Sequence, residues 1–339
     1  MTTTTQSKTY QATGTPRRLV HHNFFVGSIA KTMDFYNQVL GIEETFRIAN
    51  RGAGFLSNGN THHDLGFVEV SEVTRHRGEE AHARGIKEVP LEYGTKPGLN
   101  HFAYEMHNEA ELVAAYDRIS EFGVKPWLLE DRIVTRSVYF SDPEGNGVEY
   151  TVDMLSNWRD YRKAGATISQ REYVPGKETP STTSFVNLNP EIRRVESGAL
   201  HAKRSSHCTI VARDFSKLRR FYIDVVGLRE VYHSPSGEFS LLHGKDYPGY
   251  STALVAHGPN RPAGVGQICF ELAGPEDFAN AEKRLAAKSV KLELRIEHPK
   301  KQVLRFRDPD GTQVQCYVEA PDFLDAVKTM DPALVLQLV

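Results

Sequence analysis

Two histidines and a glutamate stand where they could hold a metal ion: His21, His101 and Glu149. Each has a counterpart in a second copy of the same sequence pattern, where the residues are His207, Gln267 and Gln315. The spacing is preserved, with 48 positions from His101 to Glu149 and 48 from Gln267 to Gln315. Two neutral imidazoles and one carboxylate on one face of a metal leave its other positions open. That is the facial arrangement of non-haem Fe(II) oxygenases, in which substrate and O2 both reach the metal. A lone histidine is more often a satisfied core residue, and a lone glutamate a strand-face carboxylate in water. Here all three sit at repeat-equivalent positions, and two of them change together in the other copy. With two glutamines the second copy offers one strong ligand and is not expected to hold a divalent ion.

The elements that must position these residues follow from the repeat. HHNFFVGSIAKTMDFYNQVLGIEE, from His21, aligns without a gap on HCTIVARDFSKLRRFYIDVVGLRE, from His207, so that Phe35 and Tyr36 fall on Phe221 and Tyr222 and Gly41 on Gly227. HFAYEMHNEAEL resembles QICFELAGPEDF, and FSDPEGNGVEY resembles FRDPDGTQVQCY. Apolar, β-branched or aromatic stretches at 19–26, 101–106, 206–212 and 267–272 predict strands. Ser28 predicts a helix cap before Ile29, Met33, Tyr36 and Leu40, with Gly41 as stop. Asn108 with Glu111 resembles a capping box before Leu112, Tyr116 and Ile119, and Asp214 caps a helix carrying Phe215, Leu218, Tyr222 and Val225. Asn58-Gly59 and the two Asp-Pro-x-Gly sequences at 142–145 and 308–311 mark turns between short strands. Each unit reads βαβββ. Four units in two tandem pairs give an α+β protein with curved, mixed sheets.

The expected division is a disordered N-terminal tail (1–15), a metal-binding domain (16–156), a linker (157–204), a repeat domain without metal (205–320) and a C-terminal tail (321–339). The linker is polar and rich in Pro, Ser and Thr, with one short helix expected around 158–163. An insertion at 72–98 accounts for the longer first half and predicts an exposed lid. Over 339 residues, 41 basic and 43 acidic side chains leave a net charge of −2. That argues against general binding to nucleic acid or a membrane surface. No apolar run reaches about 18 residues, the start carries no apolar leader, and three cysteines cannot make a disulfide framework. A cytoplasmic protein is expected. Cys208 and Cys316 alternate to the face opposite His207 and Gln315 and read as small buried apolar residues. The apolar end, ALVLQLV, could dock on the body or on a partner subunit.

The chain resembles the vicinal oxygen chelate superfamily, which pairs βαβββ modules around a metal. Its four-unit length and three-ligand set look like the type I extradiol ring-cleaving dioxygenases. The resemblance covers about 18–153 and 205–319, carried by the His-plus-Phe-Tyr spacing, the Asp-Pro-x-Gly ending and the triad. It implies that His21, His101 and Glu149 bind iron. It further implies that His63, in NTHHDLGF, is the acid/base group, and that Tyr139, ten residues before Glu149, hydrogen-bonds the bound diol. A histidine suits proton transfer near neutral pH. His62 and His63 are neighbours on an expected strand, so one of them faces the cleft, and only the family pattern selects His63. In many members the metal lies in the C-terminal half, whereas here the N-terminal half keeps the ligands. Glu130, with Arg132 close by, stands where the family often keeps a second histidine, which leaves the diol open and admits a hydroquinone. A ligand set that includes His207 stays open too. The implied activity is an Fe(II)-dependent extradiol dioxygenase acting on a catechol-like diol and O2, with Mn(II) as the alternative metal and a homo-oligomer expected. The rival readings are a metal-dependent lyase or epimerase of the same superfamily and a small-molecule binding protein.

Overall fold

The computed structural model describes residues 11–48, 52–71, 79, 93–163, 171–245 and 248–339. In each of four units a strand leads into a helical segment, three strands return, and the last pairs parallel with the first. The first unit is β1 (Arg18–Val26), α1 (Ile29–Leu40), β2 (Glu43–Ile48), β3 (Ala53–Ser57) and β4 (Leu65–Glu69). The second is β5 (Gly98–Glu105), α2 (Glu109–Glu121), β6 (Leu128–Asp131), β7 (Thr135–Ser141) and β8 (Gly147–Asp153). A linker with α3 (Trp158–Lys163) and β9 (Arg171–Glu172) precedes the second half. There β10 (Ala202–Ala212), α4 (Phe215–Arg220), β11 (Arg229–His233), β12 (Phe239–His243) and β13 (Thr252–Ala256) form the third unit. The fourth is β14 (Gly264–Leu272), α5 (Ala281–Ala287), β15 (Leu294–His298), β16 (Lys301–Arg307) and β17 (Gln313–Glu319), followed by α6 (Phe323–Ala326) and α7 (Pro332–Leu338).

The strands make a nine-stranded sheet, β2-β3-β4-β1-β5-β8-β7-β6-β9, and an eight-stranded sheet, β11-β12-β13-β10-β14-β17-β16-β15. The expected α+β architecture of four βαβββ units in tandem is therefore the fold. Every residue of β1 is buried, because it sits mid-sheet between parallel β4 and antiparallel β5. The expected caps form: Ser28 Oγ accepts from Lys31 N–H, Asn108 Oδ1 from Glu111 N–H and Asp214 Oδ1 from Lys217 N–H. Past Arg220 the third unit's helix widens into a π-helical turn, Phe221–Val225.

The two halves lock together through the repeat's own motifs. Tyr36 Oη donates to Asp308 Oδ2 at 3.0 Å, and Tyr222 Oη donates to Asp142 Oδ2 at 3.0 Å. The Phe-Tyr of each half's first unit therefore meets the Asp-Pro-x-Gly turn of the other half's second unit. Core packing follows the same exchange. One apolar cluster joins Met33, Tyr36 and Phe67 to Phe270, Leu304 and Phe306, and another joins Phe102, Tyr104 and Phe140 to Ile210, Leu218 and Tyr222.

Both expected tails carry structure among the described residues. The tail expected to be disordered over 1–15 is tied down at residues 13 and 14, whose backbone N–H groups donate to Glu111 Oε2 at 2.9 and 2.6 Å. The C-terminal tail forms α6 and α7, whose Phe323, Val335 and Leu338 are buried among second-half side chains. The insertion at 72–98 lies largely outside the described residues. Cys208 and Cys316 pack in the clusters between the halves, while Cys269 faces the second half's interior. No helix among the described residues is long and apolar enough to cross a membrane.

Candidate metal centre

β1, β5 and β8 are neighbours, and their register puts His21 opposite Ala103, Asn23 opposite His101, and Ala103 opposite Glu149. Alternation turns His21 into the first half's interior. His22 faces the other half instead, with its Nδ1 2.7 Å from Ser205 Oγ. His21 Nε2 and His101 Nε2 each lie 2.9 Å from Glu149 Oε2, and 3.4 Å from one another. Donors that bond one first-row divalent ion at about 2.1 Å and at right angles lie about 3 Å apart, so this donor set fits such an ion. All three residues are buried. Burial, only partly offset by Glu149, lowers His21 to about 4 and keeps it neutral. Burial pushes Glu149 up, but the two imidazoles hold its carboxyl well below the usual range. A neutral imidazole at His21 and an ionised carboxylate at Glu149 are the states a metal requires. Asn100 Oδ1 lies 2.9 Å from His101 Nδ1 and accepts from Tyr93 Oη. A donated Nδ1–H fixes the tautomer that presents Nε2 as the ligand.

His63 and His62 do not lie on a strand. They sit in the turn between β3 and β4, so strand alternation does not separate them and both rings reach His21. The His63 ring centroid is 4.0 Å from that of His21, and His62 lies 5.8 Å from it. Together with His21 they form a second cluster of metal-ligating atoms. The turn is closed at its base by Asp64, whose Oδ2 accepts from Asn58 N–H at 2.9 Å. At Gly59, with φ 101°, a Cβ would meet the Glu191 carbonyl at 2.4 Å, so the linker can cross there only because the residue is glycine. His62 Nδ1 lies 3.1 Å from Asp153 Oδ1 and 3.2 Å from Thr61 Oγ1. This Asp153–His62 pair was not read from the sequence, since 91 residues separate its members.

Tyr139 stands opposite Glu149 across β7 and β8, and its ring is 5.2 Å from His101. Burial first, then Glu149 and Glu130, raise its hydroxyl well above the ordinary value, so it remains a donor. Trp127 packs against Tyr139 at 5.1 Å, Tyr93 against Trp127 at 5.7 Å, and Phe25 against Tyr93 at 4.8 Å. These rings form an aromatic wall beside the donors. Buried Glu130 accepts from Arg132 Nε at 2.6 Å. Beyond His62, Asp153 lines a cavity of about 320 Å³ with Asn60, Trp158, Phe185 and Asn187.

The second half repeats the scaffold and replaces its chemistry. His207, Gln267 and Gln315 hold the registers of His21, His101 and Glu149, while Tyr250 and Arg305 stand where the first half has His63 and Tyr139. The C-terminal segment fills this interior. Gln267 Nε2 donates to Val339 O at 2.6 Å, Gln315 Nε2 to Leu338 O at 3.2 Å and Arg305 Nη2 to Gln337 O at 2.9 Å. Among the described residues, both clusters of metal-ligating side chains belong to the first half.

A sequence profile of the glyoxalase/bleomycin resistance protein/dioxygenase superfamily matches residues 18–150 and again 204–316. Biphenyl-2,3-diol 1,2-dioxygenase 3 of Rhodococcus globerulus is 24% identical over 178 residues, which are 52% of this chain and 80% of that protein. The 2,3-dioxygenase LapB of Pseudomonas sp. KL28 superposes with a TM-score of 0.62 at 16% identity, over 91% of this chain and 94% of that one. The Mn(II)-bound glyoxalase of Novosphingobium aromaticivorans gives 0.62 at 12% identity, over 90% and 83%. At these identities the superpositions establish a shared fold.

Proposed function

From the premise that the chain belongs to the glyoxalase/bleomycin resistance protein/dioxygenase superfamily, we propose that it is an Fe(II)-dependent extradiol dioxygenase, opening a catechol-like or hydroquinone ring with O2. The observation that carries this reading is the convergence of His21 Nε2, His101 Nε2 and Glu149 Oε2 in a buried interior. These residues would hold Fe(II), or Mn(II), which the same donors accommodate. When bound, the metal supplies a common meeting point for a chelating diol and O2, and a route for electrons between them.

The chain's own residues do the rest. His63, beside His21, takes the proton a diol hydroxyl must lose on binding and returns one to the ring-opened product. His62, whose Nδ1 side is occupied by Asp153 and Thr61, keeps the neighbouring ring at 4.3 Å in place. Tyr139, held protonated, donates to a diol oxygen, and the wall from Trp127 to Phe25 packs along the ring and keeps water away from it.

The test is O2 uptake by reduced, iron-loaded protein with a panel of catechols, hydroquinones and aminophenols. One O2 should be consumed per substrate, with both labelled oxygen atoms found in the ring-opened product. His63→Asn should keep its iron and lose about 10²–10⁴-fold in turnover. A panel that binds without drawing oxygen would overturn the reading in favour of a lyase or epimerase.

A further inference from the structure

The cleft face of β6 carries a charged pair that the proposed chemistry does not use. Leu128 stands opposite Tyr139 across β6 and β7, so Glu130 and, one pleat on, Arg132 emerge on the same side as the tyrosine. Arg132 is fixed by the hairpin it opens. Its N–H donates to Thr135 O at 2.8 Å, and the next residue, Ile133, has φ 68°. A β-branched residue in the left-handed region is strained and persists where the surroundings impose it. Ile133 N–H donates to Asp131 Oδ1 at 2.8 Å, which helps hold that geometry. A strained turn here sets the direction from which Arg132 enters the cleft.

The Arg132 guanidinium spends one donor, Nε, on Glu130. Its two Nη groups make no hydrogen bond among the described residues, although the side chain is only 25% exposed. The register of β6 on β7 places it on the Tyr139 side of the sheet. A guanidinium anchored at Nε presents a planar pair of donors, and the partner that matches such a pair is a carboxylate. Glu130 cancels the net charge of the pair. A single negative charge is favoured over a phosphate dianion, because less charge is brought beside the Glu130 carboxylate.

We infer that the substrate is an aromatic diol bearing a carboxylate, on the ring or on a short side chain, and that the Arg132 Nη pair binds that carboxylate. The inference rests on the dioxygenase reading for the diol, but the carboxylate contact can be measured without turnover. With iron-loaded enzyme, 3,4-dihydroxybenzoate or 3,4-dihydroxyphenylacetate should show a lower KM than catechol. Arg132→Gln should raise that KM about tenfold to a hundredfold beyond any change in the KM for catechol. Arg132→Lys should restore part of the loss. Equal KM values for neutral and carboxylated diols in the wild type would overturn the inference, as would an equal rise for both in Arg132→Gln. Should Arg132→Gln fail to fold, competition on the wild-type protein decides: benzoate and phenylacetate should displace a bound diol in the absence of O2, and benzamide should not. Carboxylate-selective displacement without O2 uptake from any diol would leave the clamp standing and remove the dioxygenase reading. Displacement by benzamide as good as by benzoate would remove the clamp alone.

Discussion

At the residue scale, burial keeps His21 neutral and does the same for its counterpart in the second half, which has a consequence for acid stability. His207, at the position of His21, is held well below the ordinary histidine value, first by burial and then by the Lys301 ammonium and His22. It packs between the Tyr250 and Tyr317 rings, at 4.2 and 5.3 Å, with Ser206 Oγ 3.1 Å from its Nδ1. Lys301 in turn is fully buried and paired with Glu319 at 2.8 Å. The unfolded chain protonates His207 near pH ~6.5, whereas the folded chain does so only at lower pH. Between those values the unfolded state binds more protons, so stability is lost as pH falls below ~6.5. His207→Gln removes this contribution. Urea midpoints of metal-free protein from pH 7.5 to 4.5 should fall less steeply for the variant than for the wild type. Parallel curves would mean that His207 binds its proton in the fold as readily as in the unfolded chain. The sequence shows the residue and its repeat position, but the cation and the two rings that set its behaviour come from three other strands or loops.

At the element scale, the repeat was readable because each unit reuses one hydrophobic pattern with the same caps and turns, and the register of the triad followed from it. What the Phe-Tyr and Asp-Pro-x-Gly motifs do was not readable, since Tyr36 meets Asp308 across 272 residues and Tyr222 meets Asp142 across 80. Both aspartates also cap their own turns, accepting Asn146 and Glu144 N–H groups in one case and Thr312 and Asp310 N–H groups in the other. Tyr36→Phe and Tyr222→Phe each leave a buried carboxylate one donor short, which costs about 1–3 kcal/mol. The two tyrosines belong to separate apolar clusters, so the double variant should lose the sum of the single losses to within about 0.5 kcal/mol. Denaturant midpoints of the four proteins check this. Single losses near zero would show that the tyrosines lock nothing. The turn carrying His62 and His63 was misread as strand for a related reason. THHDLGF runs straight into β4, and nothing local reveals that Asp64, accepting from Asn58 and from Ser205 of β10, holds its first residues as a turn.

At the scale of the whole molecule, one scaffold has been used twice, once to gather side chains that could hold a metal and once to bind a piece of its own chain. The second interior is closed by α7, whose last carbonyls take the amide donors of Gln267 and Gln315 and a guanidinium N–H of Arg305. The sequence announced the change of side chains, while the short apolar run ALVLQLV, expected to dock on the body or on a partner, carried no sign that it would enter this interior. Restoring the ligands alone should therefore not restore a site. In Gln267→His/Gln315→Glu, the new carboxylate would lie beside Arg305, whose Nη2 is already 2.7 Å from Gln315 Oε1, and the new imidazole would still face Val339 O. An ion pair with Arg305 competes directly with a metal for the same oxygens. The double variant is expected to keep one metal per chain by elemental analysis. The same measurement on Glu149→Gln should fall toward zero, because among the described residues no other carboxylate meets the imidazoles at His21. Two metals per chain in the double variant would show that the C-terminal segment yields readily, and that two side chains were all that separated the halves.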